Sequence, residues 1–261
     1  MPEGNYLSVV AAEFPQRVFD VGICEQHAVT FAAGLVTQGF KPIVAIYSTF
    51  LQRAFDQMLH DVCLQDLPVV FAIDRSGIVG DDGKTHQGTF DISYLTLMPN
   101  LIVAAPKDEN ELQHLLYTAV KSEHPMAIRY PRRAGVGVEL DTNFHLLPIG
   151  KGEIIRCGQD VAILALGTMV FPSLEAAQTL AKVGIEATVV NARFAKPLDS
   201  ELIIDLASRI KHMITVEENV ISGGFGSGVT DLLKRAGINS QIKSLGIPDE
   251  FVEQGDQARL R

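Results

Sequence analysis

Apolar and polar positions alternate along this chain in two rhythms, one suited to buried strands and one to amphipathic helices. Residues 18–21 read as a short strand ending at Gly22, and residues 25–38 as a helix stopped by Gly39. Residues 43–47 have the length of a core strand. Phe50, Leu51, Ala54, Phe55, Met58, Leu59, Val62 and Cys63 then recur in pairs every four residues, which predicts a helix with one apolar face. Residues 68–73 predict a strand, residues 74–89 a long loop rich in Gly and Asp, and residues 101–105 another strand. Asp108 and Glu111 have capping-box spacing ahead of a helix that carries Leu112, Leu115, Leu116 and Ala119. A strand at 126–130 closes this half.

Residues 131–152 hold several Pro and Gly punctuations with little periodicity and read as a linker. A second alternation follows: strand 161–166, helix 172–183, strand 187–191, helix 200–209, strand 212–216, then a glycine loop at 223–228 that opens a helix. The pattern predicts an α/β fold of two consecutive three-layer domains with mostly parallel sheets. Their expected bounds are 1–133 and 153–261, joined by the linker 134–152.

Composition narrows the classes. Of 261 residues, 47% are hydrophobic, enough for a sizeable core, which excludes disorder as the main state. Asp and Glu number 31 against 22 Lys and Arg, a net charge of −9 that argues against nucleic acid and anionic membrane as partners. No apolar run approaches the ~20 residues of a span, and the first residues lack the basic flank of a secretory signal. Cys24, Cys63 and Cys157 are far apart with no CxxC, which predicts a cytoplasmic protein without disulfides and without metal ligands of its own.

Four stretches carry candidate chemistry. In the first, Glu25 stands at a strand-to-helix junction, where open α/β sheets bind ligands. It either faces a ligand in an apolar niche beside Ile23, Ala28, Val29 and Phe31, or merely complements the helix N-terminus, worth about 0.3–1 kcal/mol. Cys24 beside it reads as packing, not as a nucleophile. In the second stretch, Tyr47, Phe50 and Arg53 follow a strand exit and can face the same crevice, an aromatic ring there being suited to stack on a heterocycle; His60 reads as a surface residue. The third, from Asp74 to Leu95, packs Arg75, Asp82, Lys84 and His86 into a glycine-rich loop, with Asp82 and His86 favoured for function. The fourth, Arg129-Tyr-Pro-Arg132, brings a guanidinium that could join Arg75 on one anionic group. The glycine loop after Glu218 misses the dinucleotide pattern, because Val229 occupies the third glycine position.

Taken together, DVGICEQHAVTFAAG, AIYSTFLQRAFDQMLHDV, DRSGIVGDDGKTHQG and RYPR make the chain, from Met1 to about Gln254, resemble the 1-deoxy-D-xylulose-5-phosphate synthases, thiamine-diphosphate enzymes of the transketolase group. The resemblance implies a pyrimidine-binding domain followed by a transketolase C-terminal domain. It implies catalytic roles for Glu25, His86 and Asp82, with Glu25 at N1′ of the cofactor's aminopyrimidine. Phe50 would stack on that ring and Arg53 lie beside it, while Tyr47, Arg75, Asp82, His86 and Arg132 line the substrate side. The implied reaction condenses pyruvate with glyceraldehyde 3-phosphate and releases carbon dioxide, toward isoprenoid and thiamine biosynthesis.

The implied assembly is a homodimer with a diphosphate-binding domain or chain that supplies the Mg ligands through a GDG motif and an Asn. This sequence contains no GDG, so the chain alone is expected to be inactive. Cys24 and Arg133 stand where the family commonly has Ala and Gly. Two other readings share the fold: a different split transketolase-like subunit, and a non-catalytic interaction protein.

Overall fold

The computed structural model describes residues 3–261. A short helix α1 (Leu7–Glu13) and α2 (Glu25–Val36) precede the first strand, β1 (Ile43–Tyr47). The long helix expected from the paired apolar positions is composite: α3 (Ser48–Leu51), a 3-10 turn, α4 (Phe55–Gln57), then a π-helical stretch, Met58–Cys63. Next come β2 (Val70–Asp74), α5 (Asp91–Leu95), β3 (Ile102–Ala104), α6 (Glu109–Lys121) and β4 (Met126–Arg129). Residues 130–152 contain neither helix nor strand.

The second half holds β5 (Glu153–Arg156), β6 (Val161–Ala165), α7 (Val170–Ala181), β7 (Ala187–Asn191), β8 (Phe194–Lys196), α8 (Ser200–Arg209), β9 (His212–Val220), α9 (Phe225–Arg235), β10 (Gln241–Ile247) and α10 (Gln257–Leu260).

Two five-stranded sheets result, ordered β1-β2-β4-β3-β8 and β10-β9-β6-β7-β5, with every pair parallel except β3–β8 and β5–β7. Parallel strands are covered on both faces, and successive side chains serve opposite sides. Phe71 and Ile73 of β2 thus join Val29, Leu51 and Met58 on one face, while Val70 joins Leu115 and Ala119 of α6 on the other. The second sheet is flanked likewise, by α8 and α9 on one side and α7 on the other. The first of these clusters runs from Val29 through Ala162 and Leu164 to Leu233, so one apolar core spans both halves.

Residues 18–21 form no strand. They lie off the sheet with Phe19 well exposed, and without a neighbouring strand their backbone has no ladder to join. β8 was not foreseen either. It comes from the second half of the chain yet pairs antiparallel with β3 in the first sheet. Lys196 donates to the carbonyls of Thr96 and Met98, and the buried Glu111 of α6 accepts from Asn191 at 2.8 Å and from Arg193 at 2.7 Å.

Candidate active site

The carboxyl ends of β1, β2 and β4 lie side by side, and the four candidate stretches come together there. Glu25 is the first residue of α2, its side chain 8% exposed, and its Oε1 accepts from Arg53 Nη1 at 3.2 Å. Ile23 is 75% exposed, so the niche is bounded on one side by that guanidinium and not by a wholly apolar wall. Cys24, expected to pack, is exposed.

Arg53 also lies 5.4 Å from the centroid of the Phe50 ring, a cation–π arrangement. Phe50 stacks with Tyr47 at 5.7 Å and meets His86 edge-on at 5.3 Å. Arg75 covers the other end of the group, 3.9 Å over the Tyr47 ring, and its Nη1 donates to Asp82 Oδ2 at 2.5 Å. Arg132 Nη1 approaches Asp82 Oδ1 at 3.4 Å. All eight candidate residues are therefore linked in one unbroken series of contacts, from Glu25 to Arg132. The two arginines do converge on an anion, the carboxylate of Asp82. Arg133 turns elsewhere: burial and the neighbouring Arg261 lower its guanidinium pKa, and Glu218 opposes them. Burial raises the Tyr47 phenol, with Arg75 pulling the other way.

The loop bearing Arg75, Asp82 and His86 is fixed by its backbone. Arg75 adopts φ +58, an uncommon conformation for a side-chain-bearing residue. Asp74 Oδ1 accepts its N–H at 2.6 Å. Gly77 and Gly88 exchange backbone hydrogen bonds of 2.7 and 2.8 Å that close the loop. A Cβ on Gly88 would lie 2.3 Å from the Arg75 carbonyl oxygen, so the neck tolerates only glycine. At the tip, Thr49 Oγ1 donates to the Thr85 carbonyl, and the Thr85 hydroxyl lies 2.9 Å from His86 Nδ1.

Sequence reasoning missed the buried polar groups beneath this site. Asp91, 0% exposed, receives Arg129 Nε at 3.0 and 3.1 Å and Ser48 Oγ at 3.0 Å. Arg129 Nη2 continues to the carbonyl of Glu218 at 3.2 Å. The Glu218 carboxylate accepts from the Ile78 N–H, from the Thr168 hydroxyl and from Arg261 at 2.7 and 2.9 Å. The available signal was the pair Glu217-Glu218 ending an apolar strand, a costly place for carboxylates unless they are bonded. The glycine loop after them serves the protein itself: Phe225 and Gly226 N–H donate to Glu217 at 2.8 Å each. His60, 61% exposed and paired with Asp56, is the surface residue expected. Among the described residues, no helix is long and apolar enough to cross a membrane.

Two consecutive α/β units with mostly parallel sheets, linked through β8, make the architecture of a transketolase-type pair of domains. The family profile "Transketolase, pyrimidine binding domain" matches residues 1–136 and "Transketolase, C-terminal domain" matches residues 150–261, and the chain belongs to this family. It is 61% identical over 262 residues to 1-deoxy-D-xylulose-5-phosphate synthase 1 of Geobacter sulfurreducens, and 61% identical over 263 residues to 1-deoxy-D-xylulose-5-phosphate synthase of Dehalococcoides mccartyi. Both matches cover 100% of this chain, but only 41% and 42% of those relatives. Of solved structures, a "Split gene transketolase, inactive beta4 tetramer" is similar with TM-score 0.84 and 34% identity, over 93% of this chain and 79% of that one. The transketolase of Campylobacter jejuni, at 20% identity, TM-score 0.70 and 36% coverage of its own chain, shares the fold.

Proposed function

We propose that this chain forms the pyrimidine side of a thiamine-diphosphate site and acts, with a diphosphate-binding domain or chain, in condensing pyruvate with glyceraldehyde 3-phosphate to 1-deoxy-D-xylulose 5-phosphate. The observation that carries the reading is the run of contacts Glu25–Arg53–Phe50–Tyr47–Arg75–Asp82–Arg132, with His86 branching from Phe50, in a chain 61% identical to a 1-deoxy-D-xylulose-5-phosphate synthase.

The residues fit one side of the cofactor. Arg53 holds Oε1 of Glu25 and leaves Oε2 outside that pair, so the carboxyl can hold or release a proton at N1′ of an aminopyrimidine. Phe50, flanked by Tyr47, His86 and Arg53, offers a half-buried ring for stacking. When bound, the cofactor supplies the electron sink for loss of carbon dioxide. In this reading His86 and Asp82 would pass a proton to or from the joining carbonyl oxygens. Arg75 and Arg132 supply guanidinium forks for a phosphate, and Asp82 holds both at the same place until it arrives. Nothing in this set provides an oxygen-rich nest for Mg, which is assigned with the diphosphate to the partner domain.

The reading predicts weak cofactor binding by the chain alone. Its decisive test supplies the missing domain of the Geobacter sulfurreducens synthase, fused or in trans, and follows product formation from the two substrates. Turnover is expected, and Glu25→Ala should lower it by ~10²-fold or more. Full activity of Glu25→Ala would remove the carboxylate from its role.

A second reading is favoured by the 34% identity to the split-gene transketolase: a subunit that acts on a ketose phosphate donor in place of pyruvate. Activity with a ketose phosphate donor and none with pyruvate would establish that alternative.

A further inference from the structure

The segment that joins the two sheets is strapped along α6 by side chains of that helix. Glu109 accepts from the N–H groups of Val136, Gly137 and Val138, and Thr118 Oγ1 accepts from Leu147 N. Midway along the strap stands a group that the proposed reaction does not use. His114 of α6 is 2% exposed; its Nε2 lies 2.8 Å from Asp141 Oδ2, and its Nδ1 accepts from the His145 N–H at 3.3 Å. The His145 ring lies against the His114 ring, centroids 3.6 Å apart. One donor atom from each of His114, Asp141 and His145 falls within 4.8 Å of the other two.

We propose that His114, Asp141 and His145 form a binding site for a borderline transition cation of the Zn2+, Co2+ and Ni2+ class, which clamps the connecting segment to α6. Two imidazoles and a carboxylate are a donor set that Zn2+ accepts at ~2.0–2.2 Å, with water completing a tetrahedron. Mg2+ and Ca2+ favour oxygen donors, so the site is separate from the Mg2+ of the proposed reaction and stands independently of that reaction.

The protons balance simply. In the cation-free arrangement Nδ1 of His114 is an acceptor, so its proton is on Nε2 and faces Asp141. Binding through Nε2 moves that proton to Nδ1, and the long 3.3 Å contact from His145 N–H opens. The exposed His145 side chain turns from its tilted contact with the His114 ring to point at the cation, a change its coil backbone permits.

Calorimetric titration of the purified chain with Zn2+, with Co2+ as the spectroscopic probe and Mg2+ as control, tests the site. One equivalent of Zn2+ is expected, with Co2+ showing four-coordinate d–d absorption that lacks thiolate charge transfer. His145→Ala and Asp141→Ala, both at exposed side chains, should weaken binding by ~10-fold or more. Cys24→Ser and Cys157→Ser should leave it unchanged. Absence of Zn2+ binding, equal competition by Mg2+, or unaltered affinity in His145→Ala and Asp141→Ala would overturn the proposal.

Discussion

Glu218, on strand β9 of the second sheet, accepts a hydrogen bond at 3.4 Å from the backbone N–H of Ile78, 140 residues earlier in the loop that carries Asp82 and His86. The same carboxylate is bound by Thr168 and Arg261, so a single buried anion ties the site loop to three parts of the chain. Glu218→Ala leaves the Ile78 N–H and the Arg261 guanidinium without their acceptor. A stability loss of about 2–4 kcal/mol is expected in urea unfolding, and Glu218→Gln should recover part of it by keeping an acceptor for Ile78.

Arg129 and Asp91 form a pair almost wholly removed from water, 5% and 0% exposed. Removing one partner strands the other charge in the interior. Arg129→Met or Asp91→Ala alone should cost about 3–5 kcal/mol, and the double variant clearly less than the sum. Chemical denaturation of the four proteins of the cycle measures the coupling.

Glu217 predicts a pH dependence of stability. Burial pushes its carboxyl up from the usual carboxylate value of about 4.5 to about 7, against the pull of the Gly226 and Phe225 N–H groups. The raised value means that the folded chain keeps a proton which the unfolded chain has lost. Its contribution is fully present below pH ~4.5 and declines as pH rises through ~7, by about 3 kcal/mol in all. Glu217→Gln cannot ionise. Its stability relative to the parent should therefore improve between pH 5 and pH 8, as measured by urea midpoints at both values.

In the reconstituted enzyme, Arg75→Ala and Arg132→Ala should raise KM for the phosphorylated substrate by ~10-fold or more while changing KM for pyruvate much less. Arg75→Ala should have the larger effect. It also uncovers the Tyr47 ring, whereas Arg132 is more exposed and more weakly held by Asp82. Steady-state kinetics with each substrate varied in turn decides this.

The parts legible in the sequence are those whose signal is local. The four-residue spacing from Phe50 to Cys63 announced a helix, although not its π-helical end, and the glycine punctuation at 77, 80, 83 and 88 announced the site loop. The eight candidate residues came from short motifs and lie together. The missed strands β5, β8 and β10 are sheet edges. β10 alternates exposed and half-buried residues, and β8 is three residues long and pairs with a strand in the other half. No local pattern encodes such pairings. The Ser48–Asp91–Arg129 network was hidden for the same reason, since each member reads alone as an ordinary loop or strand residue. Residues 18–21 show the reverse error: apolar sequence suggested a strand, but pairing decides one.

β8 makes the two halves poor candidates for exchange as independent building blocks. A protease cut within residues 134–152 would yield fragments that remain clasped together, because Phe194–Lys196 stays laced into the other fragment's sheet. Expression of residues 1–136 alone would instead leave β3 with a bare rim of unpaired N–H and C=O groups, a sticky product prone to self-association.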